Sequence, residues 1–319
     1  MAHRILGLHH VTATVDQAQP DLDFCVGGFG LRLVKKTVNF DNHHVYHFYY
    51  GTEHGAPGTI WTTFPYAGRG VRFGIKGAGQ VTFTAFSVPE GSLPAWTAAL
   101  RDRGIAVEAA RPRFDDETII ATDPSGLAMA LVANGHDRRA PWTGNGIGSD
   151  RAICGLHSVG MVVREAAPTV ELMTGLLGFE VVNREGGRTR LAAGGDEPGR
   201  YVDVIQEPDA VSALNGLGTV HHVAMAIGTG DEQRALRTDL VARGLHVTEV
   251  LDRQYFTSIY FREPGGVLFE VATTGPGFTV DEPLAALGTG LKLPPWEEPN
   301  RGAIESGLAE VSYPILTGR

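Results

Sequence analysis

The stretch His9-His10-Val11-Thr12-Ala13-Thr14-Val15 decides the fold, because the chain repeats its pattern as VTFTAFSV at 81–88, LHSVGMVV at 156–163 and HHVAMAI at 221–227. Apolar side chains at alternate positions give the period of a half-buried strand. A helix candidate follows each copy, at 16–26, 92–103, 166–177 and 231–243. Gly30, Gly104, Gly178 and Gly244 stand where each helix gives way to the next strand, and glycine readily takes the left-handed conformation that ends a helix. Turns at Pro57-Gly58, Pro124-Ser125, Pro198-Gly199 and Pro264-Gly265 then open the closing strands TIWTTF, LAMALV, YVDVI and VLFEV. The repeat is therefore a βαβββ module, with copies at 4–70, 78–134, 153–208 and 218–274.

One module's sheet cannot bury both of its faces. Paired modules curl eight strands into a cup with helices outside and a cavity within. The expected fold is α+β, with two cup-shaped eight-stranded half-barrels. The tail, 275–319, is rich in Gly and Pro and carries Phe278, Leu293 and Trp296, which are expected to wrap it around the body.

Composition narrows the function. Of 319 residues, 43% are apolar and 20% charged, the balance of a soluble globular protein. The net charge of −9 comes from acids spread along the chain, which argues against a nucleic-acid surface. No apolar run approaches the roughly 20 residues of a membrane span. The opening MAHRILGLHHVTATV lacks the apolar core of a signal peptide, so a cytoplasmic location is expected. The two cysteines, Cys25 and Cys154, share no motif spacing and read as buried free thiols.

Aligning the four modules singles out chemistry without any homologue. His10 corresponds along the opening strands to Thr82, Ser158 and His222. Six residues on from the turn proline stand Thr63, Ala130, Val204 and Glu270. Metal-ligand side chains thus gather in modules one and four. Strand parity agrees. Val11, Ala13 and Val15 form a helix-facing row that leaves His10, Thr12 and Thr14 facing the cavity, and Val223, Met225 and Ile227 do the same for His222. A carboxylate aimed into a cup needs a partner, and Glu270 would find one in a metal shared with two imidazoles. Two His and one carboxylate leave coordination positions open, as in non-haem Fe(II) oxygenases. Structural zinc sites are closed and cysteine-rich instead.

With LHHVT, PGTIWTTFP, HHVA and PGGVLFE on the page, the chain resembles the vicinal-oxygen-chelate superfamily over nearly its whole length, and within it the ring-cleaving dioxygenases acting on hydroquinones. The resemblance implies Fe(II), less often Mn(II), held by His10, His222 and Glu270. It also implies a cup shared by modules one and four, with two and three paired together. Most four-module extradiol enzymes pair neighbours along the chain, which would call on Ser158 as a ligand, and serine is a poor substitute for imidazole. Matching positions place His9, Thr12, His221, Arg253 and Tyr260 near the substrate. Parity turns His9 and His221 to the other face unless the strand bends, and His157, which aligns with His9, is read as a decoy. His47 is given a structural or supporting role, and His246 that of a plain strand residue.

The function expected is ring opening of a hydroquinone or catechol by O2, with a small aromatic molecule as partner and a homo-oligomer as the assembly. The rivals are a glyoxalase- or epimerase-like metal enzyme, for which Thr63 stands in the fourth ligand position, and a non-catalytic binder of aromatic compounds.

Overall fold

A computed structural model of the chain describes residues 3–110 and 113–313. The first unit holds β1 (Gly7–Val15), α1 (Ala18–Leu22), β2 (Arg32–Asn39), β3 (Asn42–Gly51) and β4 (Ile60–Pro65). The second holds β5 (Gln80–Val88), α2 (Leu93–Asp102), β6 (Val107–Ala109), β7 (Thr118–Thr122) and β8 (Ala128–Ala133). The third holds β9 (Gly155–Val163), α3 (Ala167–Gly175), β10 (Phe179–Glu185), β11 (Arg188–Ala193) and β12 (Tyr201–Gln206). The fourth holds β13 (Thr219–Ile227), α4 (Gly230–Ala242), β14 (Leu251–Asp252), β15 (Thr257–Arg262) and β16 (Leu268–Thr273). The helix expected at 16–26 is short, because α1 widens after Leu22 into a π-type turn over Asp23–Gly28.

Two eight-stranded sheets result, in the orders β14-β15-β16-β13-β1-β4-β3-β2 and β10-β11-β12-β9-β5-β8-β7-β6. The first unit pairs with the fourth through antiparallel β1 and β13, and the second with the third through β5 and β9. One apolar core joins the helix-facing sides of both sheets. In it Val11, Ala13, Val15, Val223, Met225 and Ile227 meet Leu22, Trp96, Leu236 and Leu240. Burying each large side chain of this kind contributes roughly 1.5–3 kcal/mol.

The opening strands are not regular. Between Leu8 and His10 the β1 register advances two residues against one on β13, so His9 is the extra residue of a β-bulge. Between Thr12 and Ala13 the excess lies on β13, at His221. The second sheet repeats both irregularities, at Thr82 and His157. A bulge bends its strand and lets neighbouring side chains share a face. The parity argument that turned His9 and His221 away from the cavity therefore fails at those two residues.

The same register corrects the module alignment. Thr12 pairs with Thr62, Ala224 with Glu270, Ala85 with Ala130 and Gly160 with Asp203. The counterparts of Glu270 are thus Thr62, Ala130 and Asp203, replacing Thr63 and Val204. Similarly, the residue after the bulge is His10, Phe83, Ser158 or His222, so Phe83 replaces Thr82. The cause is turn length. The turns before β8 and β16 carry one residue more than those before β4 and β12, and a slip of one residue exchanges the faces of a strand. Thr63 in fact faces the helix side, where its hydroxyl donates to Asp21 at 2.6 Å.

Beyond β16 the chain passes through short helical turns to α5 (Arg301–Gly307). Phe278, Leu287, Leu293 and Ile304 are buried along it, while Trp296 stays 47% exposed and packs edge-on to Phe40. Leu291 bridges Lys36 on the edge strand β2, and the fully buried Lys35 ammonium is met by Asp281 and Glu282. The tail so covers an edge that would otherwise present unpaired backbone groups.

Candidate metal centre

His10 and His222 sit just after their bulges on β1 and β13, and Glu270 stands beside Ala224 in the neighbouring strand β16. The three meet although 260 residues separate the first from the last. His10 Nε2 lies 3.3 Å from His222 Nε2, and Glu270 Oε2 lies 3.2 Å from the first and 2.9 Å from the second. All three side chains are buried, and among the described residues they form the only cluster of His, Cys, Asp or Glu spaced to hold a metal ion.

Charge makes the arrangement specific. Burial works against ionised Glu270, but the imidazoles of His10 and His222 outweigh it and hold the carboxyl well below the usual carboxylate range. Burial also pushes His222 below the ordinary imidazole value. Ser258 donates to Glu270 Oε1, whereas the buried Oε2 has no aligned hydrogen-bond partner among the described residues. An acceptor left this way is costly. The donor set fits a divalent cation, because one carboxylate oxygen and two imidazole nitrogens converge on one point and, among the described residues, no Lys or Arg pairs with that oxygen.

Both ligand candidates are steadied from behind. His9 Nδ1 lies 2.9 Å from His10 Nδ1, and His221 Nδ1 lies 2.8 Å from His222 Nδ1. These contacts occupy the ring nitrogen that faces away from the cluster, the usual way of fixing the tautomer of a ligating histidine. Burial, reinforced by the adjacent histidine, pushes both His9 and His221 down to about 3, so each is neutral.

The cluster lies at a cavity of about 450 Å³ with Tyr49, Phe64, Phe256 and Tyr260 among its walls. Of the residues expected near the substrate, His221, Arg253 and Tyr260 line this cavity. Arg253 Nε donates to the Tyr260 oxygen at 3.2 Å, and its outer nitrogens reach Asp41 at 3.0 and 3.2 Å, tying β14 and β15 to the β2–β3 turn. His9 and Thr12 sit behind the wall. His9 packs on Phe256, and the Thr12 hydroxyl is 2.8 Å from that of Thr62, itself 2.9 Å from His47 Nε2. His157 lies in the other sheet, 3.1 Å from the Ser158 hydroxyl.

Sequence reasoning missed Asp41, Tyr49, Thr62, Phe256 and Ser258. Ser258 and Tyr49 were reachable by parity, since each stands two residues along a strand from a residue already singled out, Tyr260 and His47.

Paired βαβββ units closing on a His, His, Glu cluster define the class to which the comparisons with known proteins also lead. A model of the Glyoxalase/Bleomycin resistance protein/Dioxygenase superfamily matches residues 155–271. "Putative ring-cleaving dioxygenase MhqE" of Bacillus subtilis (strain 168) is 42% identical over 306 residues, 96% of this chain and 99% of that one. "Chlorohydroquinone/hydroquinone 1,2-dioxygenase" of Sphingobium indicum is 36% identical over 99% of both chains. The crystal structure of a "putative dioxygenase from Bacillus subtilis subsp. subtilis str. 168" superposes with a TM-score of 0.93 at 37% identity, over 98% of this chain and 99% of that one. The chain belongs to the glyoxalase/bleomycin resistance/dioxygenase superfamily, also called the vicinal-oxygen-chelate superfamily.

Proposed function

We propose that the chain is a metal-dependent dioxygenase that opens a hydroquinone- or catechol-type ring with O2, using one divalent metal, Fe(II) or Mn(II), held by His10, His222 and Glu270. The observation that carries this reading is Glu270 Oε2, a buried carboxylate oxygen 3.2 and 2.9 Å from two imidazole nitrogens, with no aligned hydrogen bond among the described residues. When bound, such a metal supplies a centre at which an aromatic oxygen and dioxygen meet and exchange electrons. The names of the Bacillus and Sphingobium relatives agree with ring cleavage and, for the latter, with hydroquinones.

The side chains of this protein bind, orient and exclude water. Ser258 fixes Oε1 of Glu270, which turns Oε2 to the imidazoles. His9 and His221 set the rings of His10 and His222 through their Nδ1 atoms. Burial holds the Tyr260 phenol protonated, and Arg253 donates to its oxygen, so its hydrogen is free to donate to a substrate oxygen. The aromatic walls give an apolar slot for a flat ring.

A glyoxalase-type reaction shares the fold, since glyoxalase I from Zea mays superposes with a TM-score of 0.63 at 12% identity. The chemistry of such sites calls for a fourth protein ligand. Here that position is Thr62, whose hydroxyl is already in contact with Thr12 and His47. The test is to load the protein with ferrous iron or manganese under argon, then add O2 with a panel of hydroquinones and catechols. Oxygen uptake matched to ring opening is expected. A fully loaded protein that consumes no oxygen with any diol defeats the proposal.

A further inference from the structure

The two units around the cavity are related position by position. Tyr260 pairs with Glu270 across β15 and β16, and Tyr49 pairs with Thr62 across β3 and β4. Because Glu270 and Thr62 are counterparts, so are Tyr260 and Tyr49, and two residues earlier Ser258 and His47. In the fourth-unit pair Ser258 donates to Glu270 and the Tyr260 oxygen accepts from Arg253, which leaves only the Tyr260 hydrogen. The first-unit pair has fewer partners. Tyr49 is 2% exposed and its hydroxyl has no hydrogen-bond partner among the described residues. His47 is 8% exposed, and its Nε2 touches Thr62 while Nδ1 meets none of the described residues.

Both side chains line the cavity, with their rings 4.0 Å apart. Other polar groups of the wall are in use. Asn39 donates to Tyr66, Arg253 holds Asp41, and the Thr248 hydroxyl accepts from the Tyr260 backbone. The Tyr49 hydroxyl and His47 Nδ1 therefore open onto the cavity with no protein partner among the described residues, and are left for water or a ligand to satisfy. An aromatic ring anchored by one oxygen at the metal cluster would place a second hydroxyl in this cavity, whose walls carry Tyr49 and His47.

We propose that Tyr49 and His47 are substrate-contact residues that hydrogen-bond the ring hydroxyl not engaged at the metal centre, so that the site selects diols over simple phenols. The inference rests on the ring-cleaving reading, yet it is tested separately from it. Metal-loaded protein is titrated under argon with hydroquinone and with phenol, which lacks the second hydroxyl, for the unaltered chain, Tyr49→Phe and His47→Ala, with metal content measured in each. The unaltered chain should bind hydroquinone more tightly than phenol. Each variant should lose roughly three- to tenfold for hydroquinone, the effect of one hydrogen bond, and keep its affinity for phenol and its metal. The proposal is overturned if the unaltered chain has no preference for the diol. It is also overturned if Tyr49→Phe and His47→Ala both leave hydroquinone binding unchanged, or weaken the two ligands equally, or lose metal. Oxygen uptake has no part in this measurement, so a chain that binds diols as expected but consumes no O2 sinks the enzymatic reading alone.

Discussion

Glu270 in the first sheet and Asp203 in the second stand at the same place, on a closing strand beside the residue two beyond a bulged-strand histidine or serine. Each is a buried acid, and each must be met by positive charge. In the second sheet the chain supplies the cation. Arg190, directly across from Asp203, donates from Nε at 2.7 Å and Nη2 at 2.9 Å, and its guanidinium also reaches Asp116 at 2.8 Å. In the first sheet the position of Arg190 is taken by Tyr260, which carries no charge. The histidines diverge in step: His10 and His222 face Glu270, whereas Phe83 and Ser158 occupy those places around Asp203. One sheet has filled its site with its own ion pair, and the other leaves an acid and two imidazoles which, on the proposed function, take a metal cation.

The largest effect expected from breaking this contrast is loss of the metal. His10→Ala, His222→Ala or Glu270→Ala should each bring metal content to background and abolish turnover, beyond the ~100-fold that loss of a supporting residue costs. Circular dichroism should show the fold retained. Full metal occupancy in any of the three counts against the assignment. A sharper version transplants the second sheet's solution: Tyr260→Arg should put a guanidinium against Glu270 and exclude the metal without lowering the melting temperature. A variant that still binds metal normally would show that the two acids are not interchangeable problems.

On the other sheet, Arg190→Met should leave Asp203 buried without its cation and cost about 3–5 kcal/mol of stability, read by denaturant unfolding. Metal content should not change. An unfolding midpoint equal to that of the unaltered chain would mean that Asp203 finds another partner. Smaller effects belong to the histidines behind the ligands. His9→Ala and His221→Ala should each weaken metal binding about 10–100-fold, measured by competition with a chelator, with the fold intact. Unchanged affinity in both would reduce the paired imidazole contacts to packing.

Much of this was legible in the sequence. The alternation in the four opening strands and the Pro-Gly turns revealed the repeat, and the two His-His pairs with the acid of PGGVLFE pointed to modules one and four. What was not legible traces to single residues. Bulges at His9 and His221 leave the alternation unbroken to the eye while turning both side chains toward their neighbours. The turn after Pro57 is one residue shorter than that after Pro264, so counting from proline reached Thr63 instead of Thr62 and hid Asp203 behind Val204. Tyr49 stands two residues from His47 on β3, so parity could have reached it, but His47 had been given only a structural or supporting role.

Asp21, another buried acid, meets the same problem in a third way. It lies on the helix side of the first sheet, 3% exposed, and among the described residues it belongs to no metal cluster and pairs with no cation. Its Oδ2 accepts from the Tyr50 hydroxyl at 2.7 Å and from Thr63 at 2.6 Å. Burial nevertheless dominates these bonds and pushes its carboxyl up to about 7, so it holds its proton until the pH nears neutrality. Its value in the unfolded chain is near 3.9. Between about pH 4 and 7 the folded protein therefore binds the proton that the unfolded chain has lost, and stability falls as pH rises through that window. The slope from this one group reaches at most about 1.4 kcal/mol per pH unit. Asp21→Asn keeps an oxygen for Tyr50 and Thr63 but removes the titration. Asp123, pushed up to about 6 by burial, titrates in the same range and repels Asp21, so the difference between the two stability curves reports Asp21 together with that repulsion. That difference should be steepest between pH 4 and 7 and level above it, and parallel curves across the window would show that Asp21 is ionised in its pocket.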